Sequence, residues 1–297
     1  MSNWFRRLYE QLPVIRELRN LRQELRQIAY DTNRCHSILA SRYEEERLLT
    51  RQKHQHPLDL SRHERQVYSQ NGEDGIIEEI FRRIGTTDRT FVEIGVGNGL
   101  ENNTVYLLEK GWRGWWIDGS EPGLAQVERD QAGRIGNGTL KLQQALLTAE
   151  NVESVLRGAG VPEKFDLLSL DIDRNTYHVW KAMKAFKPRV LVIEYNSSWP
   201  ADCAWTIPYH PERVWNYSSY FGGSLKAMEL LGRELGYSLV GCDLHGINAF
   251  FVRNDLVSDR FCGPFTAEHH YEPPRYWLAR REGHARSVSD DPSVAPR

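Results

Sequence analysis

Nine residues, Phe91-Val-Glu-Ile-Gly-Val-Gly-Asn-Gly99, restrict the fold of this chain more than any others. Phe91, Val92 and Ile94 read as a short buried strand, and glycines follow at every second position, 95, 97 and 99. Glycines at the end of a strand let the backbone turn sharply and let a ligand or another backbone approach closely. Glu93 stands two residues before the first of them, where a carboxylate can accept hydrogen bonds from an amine or a hydroxyl. Two readings fit such a stretch: a nucleotide-type cofactor site, or a tight turn in an α/β sheet.

The surrounding pattern favours the α/β sheet in either case. Tyr68-Ser-Gln-Asn-Gly-Glu-Asp-Gly75 opens a helix whose apolar face is Ile76, Ile77, Ile80, Phe81 and Ile84. Glu73 and Asp74 suit the positive end of its dipole, which leaves the polar Tyr68, Ser69 and Gln70 unexplained. Glu101-Asn-Asn-Thr104 leads into a second helix, with Asn102 or Asn103 as a cap or as a ligand contact. Gly111 to Asp118 is a turn and strand, Leu140 to Leu147 a third strand, Phe165 to Asp173 a fourth and Val190 to Asn196 a fifth. Helices are predicted over Ala149–Leu156 and Val179–Phe186, and Pro188 breaks the latter. Alternation of this kind is the signature of a parallel, doubly wound sheet. Acids or amides end four of these strands, including Asp118, Asp171, Asp173, Glu194 and Asn196, and ligands of such sheets bind beyond the carboxyl ends of the strands. Asp118, about twenty residues past the glycines, is placed to accept both hydroxyls of a ribose.

Residues 197–223 are rich in Trp, Tyr, Pro and Gly and read as a lid or binding loop. After a helix from Ser224 to Leu235, Tyr237–Cys242 and Asn248–Arg253 form an antiparallel hairpin.

The 297 residues suffice for one α/β domain and an appendage. The expected division is a helical arm over 1–50, a linker over 51–64, the main domain over 65–282 and a disordered tail over 283–297. In the arm, Leu18, Leu21, Leu25, Ile28, Cys35 and Leu39 follow heptad spacing with Thr32 as a polar interruption. That pattern fits a coiled coil joining subunits, a helix packed on its own domain, or peripheral membrane contact through Trp4, Phe5, Leu8 and Leu12 with Arg6 and Arg7. His54 and His56 are expected to be solvated. A net charge of −2 argues against a dedicated nucleic-acid binder. Cys35, Cys203, Cys242 and Cys262 form no Cys-x-x-Cys pair, so the expected compartment is a reducing cytoplasm. The start lacks the apolar core of a secretory signal.

A dinucleotide fold wants Gly-x-Gly-x-x-Gly, but Leu100 follows Gly99 and an acid leads the glycines. The closing hairpin also departs from a repeated βαβ half. Both features point to a methyl donor, S-adenosylmethionine. From Tyr68 to about Leu256 the chain resembles the FkbM-like methyltransferases. The resemblance is carried by Tyr68-Ser-Gln-Asn-Gly-Glu-Asp, the 91–99 stretch, Trp-Ile-Asp118-Gly, Ser-Leu-Asp171-Ile-Asp173, Val-Ile-Glu194-Tyr-Asn196 and Gly246-Ile-Asn-Ala-Phe-Phe-Val252. It implies a Rossmann-like class I methyltransferase fold, with the mostly parallel sheet ending in an antiparallel hairpin. It implies O-methylation of sugar, glycan or natural-product hydroxyls. It also implies a donor held by Glu93, Gly95, Gly97 and Asp118, with adenine near Ala145 and Leu146; Gln70, Asn98, Asn103, Gly119 and Asp171 are further donor contacts. Arg174 and Thr176 stand where that family tends to carry Gly and Asp.

Asp171, Asp173, Glu194 and Asn196 offer hard oxygen ligands of the kind Mg²⁺ or another divalent cation takes, resembling the metal site of catechol-type O-methyltransferases. Otherwise Asp173 caps the next helix and Asp171 meets the donor's amine. His210 and His245 are candidate bases beside Asp171 and Asp173; His178 is a possible added ligand or a packed helix residue. Two other classes stay open: a nicotinamide-dependent, sugar-modifying oxidoreductase or epimerase, and an inactive scaffold joined through its arm.

Overall fold

The computed structural model describes residues 13–278. The membrane-facing reading of Trp4 to Leu12 and the expected tail over 283–297 lie outside them.

Seven strands form one sheet: β1 (Thr90–Ile94), β2 (Arg113–Asp118), β3 (Leu140–Gln144), β4 (Leu167–Leu170), β5 (Val190–Glu194), β6 (Tyr237–Cys242) and β7 (Asn248–Arg253). Their order is β3-β2-β1-β4-β5-β7-β6, with β7 antiparallel to both β5 and β6 and the other pairings parallel. This is the Rossmann-like, doubly wound sheet with an antiparallel ending that the sequence predicts.

Period-two alternation builds its two cores. Val92, Trp115, Leu168 and Phe251 face one layer, whereas Phe91, Trp116, Leu167 and Phe250 face the other. Both faces are covered, so the strands read as continuous apolar runs rather than as alternating ones. The helix Leu225–Leu235 is capped by Ser224, whose hydroxyl accepts from Ala227 N at 3.2 Å, and ends at Gly236, with φ of 89°. Helices at Glu121–Asp130 and Ala132–Gly136 join β2 to β3, a stretch to which the sequence reading assigns no element. Their signal was Ser120 as N-cap with Pro122 in the first turn.

The strand order reverses between β1 and β4, the two strands that flank the chain's switch point. Crevices form at such points because the loops leaving β1 and β4 diverge toward opposite faces.

The arm is one 31-residue helix, α1 (Pro13–Tyr43), which among the described residues touches the domain near its end. There Ala40 packs with Leu48, Leu244 and Leu278, and Tyr43 meets Trp277 edge-on at 4.9 Å. Residues 51–64, expected as a linker, are pinned instead. His54 is buried, against the expectation of a solvated ring; His56 is exposed. His54 Nδ1 lies 2.8 Å from Ser61 Oγ and 3.3 Å from Asp59, while its Nε2 lies 3.2 Å from Glu272. Serine and aspartate thus share one ring nitrogen, which is not the arrangement of a catalytic triad, where they take opposite nitrogens. The group is a clamp between the 51–64 segment and the chain's far end. Lys53 and Arg275 also pair with Glu272.

Burial alone would raise the Glu272 carboxyl, but the His54 hydrogen bond and the charge of Lys53 pull it down to about 2. Its folded value is depressed below the ordinary 4.5, so its contribution is present above about pH 4.5 and is lost as pH falls toward about 2. We expect Glu272→Gln to cost on the order of 3 kcal/mol at neutral pH, a penalty that fades on acidification. Urea denaturation at a series of pH values checks this, and parallel curves for the two proteins would refute it.

Candidate active site

A cleft of about 520 Å³ opens at the carboxyl ends of β1, β2 and β4. Its floor is the glycine turn. Gly95 has φ of 85°, donates to Ile117 O at 2.9 Å, and has no room for a side chain: a Cβ would lie 1.5 Å from Asp171 O. Asp171 N in turn donates to Ile94 O at 3.0 Å. The turn is therefore wedged between the ends of β2 and β4. Gly97, with φ of 53°, is different, because nothing lies within 4 Å of where its Cβ would be. That side faces the cleft. Its N–H donates to Asp118 Oδ2 at 2.8 Å, and Asp118 Oδ1 accepts from Ser120 N at 2.6 Å. Each of these oxygens keeps a lone pair for a ligand. Gly119, Ala145 and Leu146 continue the wall, and Leu146 is exposed there.

Glu93 corrects the sequence reading. It does not line the cleft. Its carboxyl is buried and turned to the following loop, where it accepts from Asn103 N at 2.9 Å and from Thr104 N at 3.2 Å, and also from the Thr104 hydroxyl. Burial pushes it up to about 7 in spite of those bonds. Asn103 Nδ2 donates to Ser169 Oγ at 3.1 Å, and Asn98 Oδ1 accepts from Leu100 N at 3.2 Å, so both side chains order the loop. Neither lines the cleft. The acids of the Tyr68–Gly75 stretch are also engaged: Asp74 Oδ2 accepts from the N–H groups of Val67, Tyr68 and Ser69 at 2.7–2.8 Å, and Glu73 Oε1 accepts from Asn248 Nδ2 at 2.8 Å.

On the β4–β5 side, oxygens of Asp171, Asp173 and Glu194 lie within 4.8 Å of one another. Burial raises Asp171, and burial together with the charges of Asp171 and Asp173 holds Glu194 well above the usual carboxylate range. Asp173, also raised, reaches about 6, and it sits in the left-handed region with φ of 55°. Strained backbone of this kind clusters at functional sites. Glu194 Oε2 is buried without a hydrogen-bond partner. Asn196 does not join the cluster through a free side chain: its Nδ2 donates to Ser219 O and Phe221 O, both at 2.9 Å, and its Oδ1 accepts from Ser198 N at 3.1 Å.

The aromatic loop covers the cleft through Pro211, Arg213 and Val214, which sequence reasoning did not single out. Arg213 brings a positive charge to a wall otherwise charged by Asp118, Asp171 and Asp173. Trp199 stacks on Trp205 at 4.6 Å, so those rings pack on one another. His210 O accepts from Asn175 Nδ2 at 2.9 Å, and its ring Nδ1 accepts from Glu212 N at 3.3 Å. His178 is packed, 2.8 Å from Ile207 O.

Gln70 and His245 lie together elsewhere, lining a second cavity of about 350 Å³ with Glu64 and Asn71. His245 Nδ1 is 3.2 Å from Glu64. Burial alone would lower this imidazole, but Glu64 and Asp243 raise it to about 9. It is therefore a cation at neutral pH and a poor base.

No protein-family model matches the sequence, and no curated protein matches it significantly. Among solved structures, it is similar to the N-terminal domain of EvdMO1 with SAH bound, at 15% identity over 62% of this chain and 80% of that one, with a TM-score of 0.40. It is similar to the CurJ carbon methyltransferase at 10% identity and a TM-score of 0.39, covering 61% of this chain and 52% of that one, so it spans about half of CurJ's length. An S-adenosylmethionine-dependent methyltransferase from Clostridium acetobutylicum matches at 12% identity over 74% of this chain and 99% of that one, with a TM-score of 0.38. Scores at this level support no residue-level correspondence, and the site stands on its own geometry.

The two glycines separate fold from ligand. Gly95→Ala meets backbone and is expected to cost more than about 4 kcal/mol, whereas Gly97→Ala pays only the left-handed φ, roughly 1–2 kcal/mol. Urea unfolding of the two variants tests this; equal losses would contradict the wedge.

Proposed function

We propose that the chain is an S-adenosylmethionine-dependent O-methyltransferase acting on a hydroxyl of a sugar, glycan or natural-product acceptor, assisted by a divalent cation. The observation that carries this reading is the use of Glu93. In a dinucleotide fold the pyrophosphate sits on the N–H groups that open the helix after the glycines. Here the N–H groups of Asn103 and Thr104, just before the five-residue helix Val105–Glu109, already serve an internal carboxyl. The cleft beside them carries three acids and one arginine. Such a wall disfavours a pyrophosphate and suits a sulfonium cation with an amine, which speaks against the nicotinamide alternative.

The donor fits the residues present. The open side of Gly97 admits it, Asp118 keeps lone pairs for ribose hydroxyls, Ala145 and Leu146 offer an apolar wall for adenine, and Asp171 faces the amine. Arg213 is positioned to pair with the donor's carboxylate. Methyl transfer is an in-line displacement, so the chain's main task is alignment. The wedge of Gly95 against Asp171 O ties the donor floor to the acid cluster, which keeps the donor and acceptor sides in one rigid frame. The acceptor hydroxyl gives its proton to Asp173, whose carboxylate lies at the cleft.

A divalent cation also fits: the Asp171, Asp173 and Glu194 oxygens converge, and the orphaned Glu194 Oε2 lacks a partner. Bound there, a cation supplies Lewis acidity that makes an alcohol easier to deprotonate. His245 is outside this scheme, being cationic and in the second cavity.

Asp118→Ala is expected to weaken S-adenosylhomocysteine binding about 100-fold, the loss of one to two charge-assisted hydrogen bonds. Calorimetry on the folded variant measures it; unchanged affinity would remove Asp118 from the site, and wild-type binding of NAD without S-adenosylhomocysteine would overturn the donor assignment.

For the cation, Mn²⁺ is expected to bind wild type and to bind Glu194→Gln at least 10-fold more weakly by calorimetry. Equal binding by the two, or methyl transfer that survives exhaustive EDTA, would remove the metal from the mechanism.

A further inference from the structure

The α1 helix carries an apolar seam that the described residues leave uncovered. Leu18, Leu25 and Leu39 are 56%, 57% and 66% exposed, and Val14, Leu21 and Ile28 are exposed with them. A solitary helix in water gains nothing from such a stripe, and most helical stability in proteins comes from burying an apolar face. In heptad terms Leu18, Leu25, Thr32 and Leu39 take a positions, and Val14, Leu21, Ile28 and Cys35 take d positions. The heptad spacing holds along the helix, with Thr32 its polar interruption.

The flanks select the occupant. The g positions are Glu17, Glu24, Asp31 and Ile38, three of the four acidic, and the facing e positions include Arg22, Ala29 and His36, none of them acidic. In a parallel pair each g residue meets the e residue five places further along the other strand. Glu17 then faces Arg22 of a second copy, and Asp31 faces its His36. In an antiparallel pair, g meets g, and acid would oppose acid. Flanking charges of this kind set both partner choice and orientation.

We propose that α1 docks against α1 of further copies of this chain as a parallel, in-register coiled coil. Leu at three a positions with Val14 and Ile28 at d favours three or four strands over two. Thr32, the polar a residue, fixes the register at a cost in stability. Because, among the described residues, the helix meets its own domain only near residues 37–43, the assembly holds the catalytic domains side by side at one end of a stalk of about 45 Å, the length of a 31-residue helix.

Cys35 makes the arrangement testable, since it is exposed in the single chain and falls at one d layer of the seam. The full chain is examined by sedimentation equilibrium at micromolar concentration, and then by mild diamide oxidation and non-reducing electrophoresis. The expected results are a mass of several 34.5 kDa chains, a cross-linked pair lost in Cys35→Ser, and a monomer for the double variant Leu25→Glu, Ile28→Glu that still binds S-adenosylhomocysteine. A wild-type monomer, free or bound to anionic vesicles, overturns the proposal. So does an assembly that survives the double substitution, or one that yields no Cys35 cross-link, as an antiparallel pairing would.

Discussion

The carboxyl of Glu93 and the N–H groups of Asn103 and Thr104 form the interaction on which the site depends. Donors at the end of a turn must be satisfied, and in a nucleotide-binding fold a ligand phosphate often does it. Here the protein satisfies them internally, from the strand next door. The result is a loop closed on β1 and a cleft left with unused acids. The same bond explains why Glu93 turns away from the cleft and why the open side of the turn begins at Gly97, while burial, working against that bond, raises its carboxyl to about 7.

Much of the fold was legible because its periods are strong. The hairpin strands Tyr237–Cys242 and Asn248–Arg253 coincide with their sequence-based bounds, and the parallel strands differ mainly at their ends. The paired helices between β2 and β3 were not read, because Glu121–Asp130 has a modest apolar stripe and only its cap announces it. At the site, spacing located Asp118, Asp171, Asp173 and Glu194 at strand ends but not the direction each side chain takes. Glu93 and Asn196 stand at the strand ends the sequence indicates, but spacing does not report that both turn toward backbone of the loops that follow. His54 and Glu272 are far apart in sequence, and no local pattern reports a contact of that separation.

The arm and the domain follow different rules. Within the domain nearly every apolar side chain is covered on both faces of the sheet, so the core needs nothing from outside. The arm reverses this, with a regular apolar seam in solvent and its anchorage confined to Ala40, Tyr43 and the 51–64 clamp. Pinning that segment to Glu272, which Arg275 links on to Leu244 O just past β6, makes the base of the helix continuous with the domain, so force or orientation applied to the arm reaches that sheet edge.

Asn196 holds the aromatic loop by a single amide bonded to Ser219 O and Phe221 O, while Thr206 and Gly223 bridge the loop's two arms. Between these fastenings the segment is tied to neighbouring elements by Tyr209 Oη, which accepts from Ala149 N at 3.1 Å, and by His210 O, which accepts from Asn175 Nδ2 at 2.9 Å. Its tip brings Pro211, Arg213 and Val214 to the cleft, so substitutions there reshape the wall without reaching the floor, which is wedged at Gly95.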